Sequence, residues 1–232
     1  MRTLLWLMLS AGTAVAQTRP VVTLEGSVAK VEIDRLGGSI VRFELKDQGL
    51  NPLRWNNENP GMEKRAMAHF LCLDRWGPVS YAEGQSGMPY HGEATRVEWT
   101  AVGAGGSTKM TAHLPIANMD VTREAKVHAS QALLLVTESV TNRNKLGRPY
   151  NMVQHPTVGA PFLDETVVVD ANARQGFMQS SPMPNPEHPT VYWPQALKDG
   201  QPVNLRMLVN DPMPNVVSYV VDEELGWVTA VN

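Results

Sequence analysis

Apolar and polar positions alternate with a period of two along several short stretches of the chain, which predicts β-strands. In "GSIVRFELKD", for example, Val41, Phe43 and Leu45 alternate with Ile40, Arg42 and Glu44. The same kind of pattern predicts strands over residues 21–34, 38–47, 94–103, 131–142, 165–172, 203–210 and 215–222. Residues 61–71 are the best helix candidate, although they could equally lead into a strand. Many short strands separated by glycine and proline turns indicate an all-β sandwich or barrel.

The first residues have the pattern of a secretory signal peptide rather than of a folded element. Arg2 precedes an apolar run over residues 4–9, and small residues follow up to Ala14 and Ala16. This pattern predicts a signal peptide over residues 1–16 with cleavage before Gln17. The alternative is an uncleaved anchor, but the run is short against the roughly 30 Å of a bilayer core. We therefore expect a secreted or periplasmic protein without a membrane segment after cleavage.

Composition and cysteine content narrow the class of protein further. The chain has 232 residues, 43% of them hydrophobic and 19% charged, which is enough apolar material for a packed core. A net charge of −3 without a basic stripe argues against a nucleic-acid partner. The single cysteine, Cys72, excludes an internal disulfide and is expected in the core, as are Trp99 and Trp227. Because no CxxC or HExxH motif occurs, no metal site is predicted.

Three stretches, in this order and spacing, resemble the aldose 1-epimerase (galactose mutarotase) family. They are "GGSIVRFELKD", "MPYHGEATRVEW" and "LLLVTESVTNRNKLGRPYNMVQHPTVGAPFL". The resemblance covers roughly residues 22–232, so residues 17–232 are interpreted as one mutarotase-like domain. It implies an antiparallel β-supersandwich whose concave face binds a small-molecule sugar, a hexose or the end of an oligosaccharide.

The resemblance also implies roles for particular residues. Mutarotation needs an acid at the ring oxygen and a base at the C1 hydroxyl, and a histidine suits the acid role near neutral pH. By motif, His155 would be the general acid and His91 the second catalytic histidine, bonded to the sugar. Arg75 would bind sugar hydroxyls, although it could instead form a surface ion pair with Asp74 or Glu83. Asn142 would end the strand that leads to His155.

Other residues are weaker candidates for binding the sugar. Glu93 could orient His91 or bind a hydroxyl, and it could equally be a solvated strand residue. Trp76 and Trp193 lie beside glycine or proline in expected loops, where an aromatic face could stack on a sugar ring. His69 and His188 could also reach the pocket. The Pro-rich stretch 180–194 that contains His188 and Trp193 is expected to be a long ordered loop.

The chain departs from the family pattern at two places. Gln154 precedes His155 where the family has asparagine, and Pro156 follows where the family has aromatic residues. The family's base is a late glutamate, and Glu223 and Glu224 look too early for it. We therefore expect either a chain truncated at its C-terminus or a protein that binds sugar without this chemistry.

Two sugar-related functions remain open from the sequence, beside a third reading, a β-sandwich interaction protein without a sugar site, which would leave the histidine, arginine and tryptophan candidates unexplained. The first is an aldose 1-epimerase that interconverts hexose anomers by His/Glu acid–base catalysis. The alternative is a non-catalytic carbohydrate-binding domain, or an accessory domain of a polysaccharide enzyme, with the same fold. Neither function requires a metal or an organic cofactor.

Overall fold

The structure, a computed structural model, describes residues 20–54, 67–178, 190–207, 217–221 and 224–232. Its N-terminal strands are β1 (Val21–Glu25), β2 (Ala29–Asp34), β3 (Ile40–Leu45) and β4 (His69–Leu73). A short helix, α1 (Tyr81–Gln85), precedes β5 (Thr100–Val102), β6 (Ser107–Leu114), β7 (Met119–Val127), β8 (Leu134–Asn142) and β9 (Met152–Pro156). The later strands are β10 (Val168–Ala171), β11 (Gln175–Met178), β12 (Val191–Tyr192), β13 (Gln195–Lys198), β14 (Gln201–Asn204), β15 (Val217–Tyr219) and β16 (Val228–Val231).

Two antiparallel sheets form the larger part of the described chain, as the alternating sequence pattern predicts. One sheet has the strand order β1-β2-β3-β4-β9, and the other has the order β5-β6-β7-β8. Both contribute inward-facing side chains to one apolar core, including Val31, Leu71, Trp99, Met110 and Val121. The arrangement is an antiparallel β-sandwich, which agrees with the all-β class predicted from the sequence.

The β6–β7 hairpin shows how local sequence produces this core. Along β6, buried and exposed residues alternate strictly, with Met110 and Leu114 inward. The facing strand β7 buries Met119 and Val121 in the same way. Burial of each such side chain contributes about 1.5–3 kcal/mol, so the pairing register of the hairpin is strongly specified.

The strands after β9 form three smaller antiparallel groups. Their pairings are β10 with β16, β11 with β12 and β15, and β13 with β14. They bury few apolar side chains, while Val168, Tyr192, Met207 and Val231 are exposed. Trp227 is also exposed, so the expectation that it packs in the core is wrong, whereas Trp99 is buried as expected.

Several predicted elements need correction. The strand predicted over 94–103 is reduced to β5, because residues 94–97 form turns after the His91 loop. Of the helix candidate 61–71, the described part enters β4, which is the alternative reading of that stretch. Described residues in the last two predicted stretches give only the end of β14 and the short β15.

Three further sequence predictions concern the N-terminal segment, the Pro-rich stretch and Cys72. Residues 1–19 and most of the Pro-rich stretch, residues 180–189, lie outside the described part of the chain. Cys72 is buried, as predicted, and burial raises the pKa of its thiol to about 12. Within the described ranges, no helix has the length and apolar character needed to cross a membrane.

Candidate functional site

The candidate site lies on one face of the paired strands β4 and β9. In this antiparallel pair Phe70 is directly opposite His155, and Cys72 is opposite Val153. Because successive side chains of a strand point to opposite faces, these four residues share one face. The residues between them, such as Leu71, point into the core between the two sheets.

Two imidazoles and one phenyl ring form a compact cluster on this face. The His155 ring stacks on Phe70 with centroids 4.4 Å apart and an interplanar angle of 17°. The His91 ring meets both of them edge-on, with centroids 5.5 Å from Phe70 and 5.5 Å from His155. The structure thus brings together the two histidines that the sequence analysis selected as catalytic candidates, from segments 64 residues apart (155 − 91).

A tight turn holds His91 in this position. Its φ of 66° lies in the left-handed region, which is uncommon for a residue other than glycine. Gly92 follows with φ of 77°, and a Cβ there would lie 2.3 Å from the carbonyl oxygen of Leu73. The turn is therefore pressed against the end of β4. Backbone strain of this kind is concentrated at functional sites, which makes the turn a candidate for such a role.

A second loop fixes the orientation of the His91 ring. The backbone amide of Gly77 donates to Nδ1 of His91 at 3.0 Å, and the His91 amide donates to the Gly77 carbonyl at 3.2 Å. Because a backbone amide can only donate, Nδ1 must be the acceptor and the ring proton must lie on Nε2. Neutral His91 therefore presents an N–H donor from its Nε2 atom.

Burial keeps His91 neutral. Desolvation, and secondarily the proximity of His155, lowers the pKa of His91 from 6.5 to about 4. Its ring is therefore a hydrogen-bond donor rather than a cation at physiological pH. A perturbed titratable group of this kind is typical of functional sites.

Two further aromatic side chains lie near this cluster. The Tyr90 ring lies 4.1 Å from that of His91 and is half exposed, with 50% of its surface accessible. Trp76, which the sequence analysis proposed as a sugar platform, packs against the cluster of Met67, Phe70 and Cys72. Sequence reasoning missed Tyr90, although its position directly before His91 in "MPYHGEA" was a signal that could have identified it.

Arg75 is engaged in the loop that carries Gly77. Its guanidinium donates through Nε to the Pro78 carbonyl at 2.7 Å and lies 3.6 Å from the Glu83 carboxylate. Glu83 in turn closes a capping box with Ser80 at the start of α1. This is the ion pair that the sequence analysis considered as an alternative to sugar binding.

Glu93 is buried rather than solvated. Its carboxylate accepts hydrogen bonds from the backbone amides of Ile116 at 3.0 Å and Ala117 at 2.8 Å. These bonds fasten the end of the His91 loop to the β6–β7 turn. Glu93 thus supports the position of His91 from behind, and its contact with a sugar stays a prediction.

The remaining predicted residues lie in other sets of contacts. Asn142 ends β8 as expected, and its side chain bonds the Leu146 carbonyl and the Asn144 amide in the turn that follows. Trp193 donates to Asp170 at 3.1 Å and packs edge-on against Tyr219 in the C-terminal strands. His188 and Glu223 fall outside the described residues, and Glu224 is exposed.

His69 lies on the opposite face of β4 from Phe70. Its Nε2 is 2.9 Å from Oε1 of Gln154, the residue before His155. Burial lowers the pKa of His69, and the hydrogen bond to Gln154 partly offsets this effect. The side chain is therefore neutral behind the site rather than a member of the cluster around His155.

Comparison with known proteins identifies the fold. No family model and no curated protein sequence matches the chain. Solved structures do, among them a galactose mutarotase-like protein from Lactobacillus casei with a TM-score of 0.54 and 16% identity. The chain has the galactose mutarotase-like fold. This match confirms the resemblance found in the sequence and the predicted fold class.

Two further structures with the galactose mutarotase-like fold support this assignment. A putative aldose 1-epimerase from Escherichia coli K12 matches with a TM-score of 0.56 and 19% identity. A galactose mutarotase related enzyme from Lactobacillus acidophilus matches with a TM-score of 0.59 and 12% identity. The matches cover 71%, 81% and 91% of this chain, the Lactobacillus casei protein first. The chain spans 61%, 67% and 73% of those structures in the same order.

On this galactose mutarotase-like fold, the His91–His155 cluster offers two kinds of polar chemistry. An imidazole donates or accepts a proton near neutral pH, and a neutral Nε2–H donates a hydrogen bond. Exposed Tyr90 adds an aromatic surface of the kind on which a sugar ring packs. The nearby carboxylate of Glu93 is already bonded to loop amides.

Proposed function

We propose that the chain binds a hexose against the His91–His155 cluster and acts in the interconversion of its anomers, as an aldose 1-epimerase-like protein. The observation that carries this proposal is the pair of imidazoles, 5.5 Å apart, on a galactose mutarotase-like fold. Two titratable side chains from distant segments share one half-buried surface, which is typical of an acid–base site.

The roles of the two histidines follow from their environments. Ring opening transfers a proton to the ring oxygen, removes a proton from the C1 hydroxyl, breaks the bond from C1 to the ring oxygen and forms the aldehyde. His155 supplies the proton to the ring oxygen, and water takes the proton from the C1 hydroxyl, because Glu93 and Glu138 are engaged in other hydrogen bonds. His91, held neutral with its proton on Nε2, donates a hydrogen bond that orients the sugar and polarises the same oxygen. Reclosure on the other face of C1 reverses these transfers.

A second candidate is sugar binding without epimerase activity. Two glutamates near the site are engaged elsewhere, since Glu93 binds loop amides and Glu138 binds Arg123 on the other side of the sheet. Neither is therefore placed to take the proton from a C1 hydroxyl. This observation favours a protein that binds a sugar through the two imidazoles without interconverting its anomers.

Polarimetry on fresh α-glucose and α-galactose tests the enzymatic proposal. The protein should accelerate mutarotation over buffer, and His155→Ala should reduce the acceleration by about 10²–10⁴-fold. His113→Ala is the matched control, because His113 is exposed on β6 and bonded to Asp120 away from the cluster. Equal activity in wild type and His155→Ala would contradict the assignment of the acid.

Fluorescence titration separates the two candidates. Trp76 packs against the Phe70 cluster, so a bound hexose should change tryptophan emission in wild type. Binding without any acceleration of mutarotation would select the non-catalytic candidate. Absence of both signals for glucose and galactose would contradict both candidates for these sugars.

Export is part of the same proposal and rests on the pattern of residues 1–16. Expression of the full chain in a Gram-negative host should yield a periplasmic protein whose first residue is Gln17. Intact-mass measurement of the fractionated protein checks this. A cytoplasmic product that retains Met1 would contradict it.

A further inference from the structure

A row of four polar side chains crosses the sandwich directly behind the His91–His155 cluster. It begins at Arg123 on β7, whose Nε donates to Oε1 of Glu138 on β8 at 2.6 Å. The two side chains are only 1% and 5% exposed. The Arg123 guanidinium also lies 4.8 Å from the Trp99 ring centroid and donates to the Gly38 carbonyl. The Arg123 side chain is therefore held in the core by Trp99 and Gly38 as well as by Glu138.

The row continues from Glu138 to the five-stranded sheet. Nε2 of Gln154 donates to Oε2 of Glu138 at 2.5 Å, and Oε1 of Gln154 is 2.9 Å from Nε2 of His69. Among the described strands, β8 and β9 end their respective sheets, so no backbone ladder joins them. The Glu138–Gln154 hydrogen bond is a side-chain connection between these two edges.

One charge fixes the direction of every bond in the row. An ionised carboxylate can only accept, so Gln154 must turn its NH₂ group to Glu138 and its carbonyl oxygen to His69. His69 must then carry its proton on Nε2. The row from Arg123 to His69 thus has one consistent set of donors and acceptors, set by Glu138.

The row ends beside the residues that form the cluster. Gln154 directly precedes His155 on β9, and His69 directly precedes Phe70 on β4, with the side chains of each pair on opposite faces. Phe70 and His155 are paired across the two strands and stacked. Gln154 and His69, on one face of the β4–β9 pair, are therefore held together by the row, although Gln154 itself is exposed to solvent. Phe70 and His155, on the other face, form the cluster.

We propose that Glu138, Gln154 and His69 are positioning residues, in which the Glu138 carboxylate sets the Gln154 amide and the Nε2–H tautomer of His69 and thereby holds His155 opposite His91. The effect on catalysis rests on the proposed function. The effect on the tautomer of His69 does not, since it follows from the hydrogen bonds alone.

The variant Glu138→Gln should reverse the donor and acceptor roles along the hydrogen bonds from residue 138 to His69. The new amide can accept from Arg123 only by turning its NH₂ group toward Gln154. Gln154 must then present its oxygen to residue 138 and its NH₂ group to His69, whose Nε2 becomes an acceptor. The proton of His69 should move to Nδ1.

The double variant Glu138→Gln, Gln154→Glu restores the original direction. The carboxylate at position 154 accepts both from the amide at position 138 and from Nε2–H of His69, and Arg123 keeps its acceptor. This second variant keeps every hydrogen bond and nearly the original volume, so it tests the proposal even if the single variant folds poorly. Glu124→Gln is the matched control, because Glu124 faces solvent on the same strand as Arg123.

Nitrogen-15 NMR of the histidine side chains near neutral pH reports the tautomer, with the His69 signal assigned from a His69→Gln variant. We expect Nε2–H in wild type, in Glu124→Gln and in the double variant, and Nδ1–H in Glu138→Gln. An Nδ1–H tautomer in wild type, or the same tautomer in all four proteins, would overturn the proposal.

Mutarotation kinetics test the consequence for the cluster. We expect kcat of Glu138→Gln to fall about tenfold with KM changed less than about threefold, and to recover in the double variant. A switched tautomer with unchanged kcat would overturn the positioning of His155. If wild type proves inactive, the proposed catalysis fails while the NMR result still decides the role of Glu138.

Discussion

The sandwich of residues 20–156 and the strands that follow it bury their side chains to very different extents. Nearly all the buried apolar residues of the described chain lie in the sandwich, and only Val167, Val191 and Ala196 lie beyond residue 160. Ion pairs differ in the same way. Arg123 and Glu138 in the sandwich are 1% and 5% exposed, whereas Arg206 and Asp170 in the C-terminal strands are 46% and 40% exposed.

The contrast shows which region is able to hold a site. Both histidines of the candidate cluster, and the residues that orient them, belong to the sandwich. Precise placement of catalytic groups requires neighbours whose own positions are fixed by packing. The same substitution should therefore have a larger effect in the sandwich than in the C-terminal strands.

The two ion pairs should give the largest contrast. Arg123→Met leaves the buried Glu138 carboxylate without its cation, and we expect unfolding to become easier by about 3–5 kcal/mol. Arg206→Met removes the partner of the exposed Asp170 and should cost less than about 1 kcal/mol. Urea denaturation measures both. A loss for Arg206→Met as large as that for Arg123→Met would break the comparison.

Two glycines in the left-handed region give the next contrast. A Cβ on Gly38, at φ of 67°, would lie 2.5 Å from the Trp99 ring, so Gly38→Ala should destabilise the fold by about 2–4 kcal/mol. Gly200, at φ of 76° between β13 and β14, has no heavy atom within 4 Å of such a Cβ. Gly200→Ala should therefore cost only the backbone strain, about 1 kcal/mol. Thermal unfolding measures both variants, and equal losses of stability would show that backbone strain, rather than the clash with Trp99, accounts for the effect at Gly38.

The free energy of unfolding should decrease as the pH is lowered, because His91 binds a proton less readily in the folded protein than in the unfolded chain. Because its folded pKa is about 4 and its ordinary value is 6.5, the unfolded chain binds a proton first as pH falls through this interval. Stability should fall from about pH 6.5 to about pH 4, by an amount on the order of 1 kcal/mol after allowance for partial exposure, and then become level. In His91→Gln this part of the slope should disappear from urea titrations at several pH values. An unchanged slope would show that His91 does not titrate in this interval.

The smallest effect should come from an exposed apolar residue of the C-terminal strands. Leu225 is 75% exposed, so Leu225→Ala should change stability by less than about 0.5 kcal/mol. Urea denaturation of the purified protein measures this. A loss above about 1.5 kcal/mol would indicate that another surface covers Leu225 and that the two regions differ less than their exposures suggest.

Local pattern was sufficient for the strands whose side chains alternate. It predicted the positions of β1 to β3, β8 and β10, because burial on one face forces a period of two. The strands β6 and β7 alternate in the same way, and an S-x-x-E capping box starts α1. Residues 94–97 failed as a strand because the buried Glu93 carboxylate and the positive φ of Gly92 bend the chain there.

The candidate site was predictable only in part. Order and spacing of motifs selected His91 and His155, but no local signal states that their rings lie 5.5 Å apart. Buried Arg123 and Glu138 look in sequence like ordinary polar positions of a half-exposed strand. Their pairing depends on the register between β7 and β8, and the bond from Glu138 to Gln154 depends on how two sheets pack, which are both non-local.

The buried thiol of Cys72 has a practical consequence for following this protein by labelling. Its pKa of about 12 keeps it protonated, and the core shields it from reagents. Since it is the only cysteine in the chain, a second cysteine placed at exposed Tyr81 would be the one reactive thiol of the folded protein. A maleimide dye attached there, on the helix beside the Arg75 loop, would test the proposed sugar binding without any prior replacement of the native cysteine.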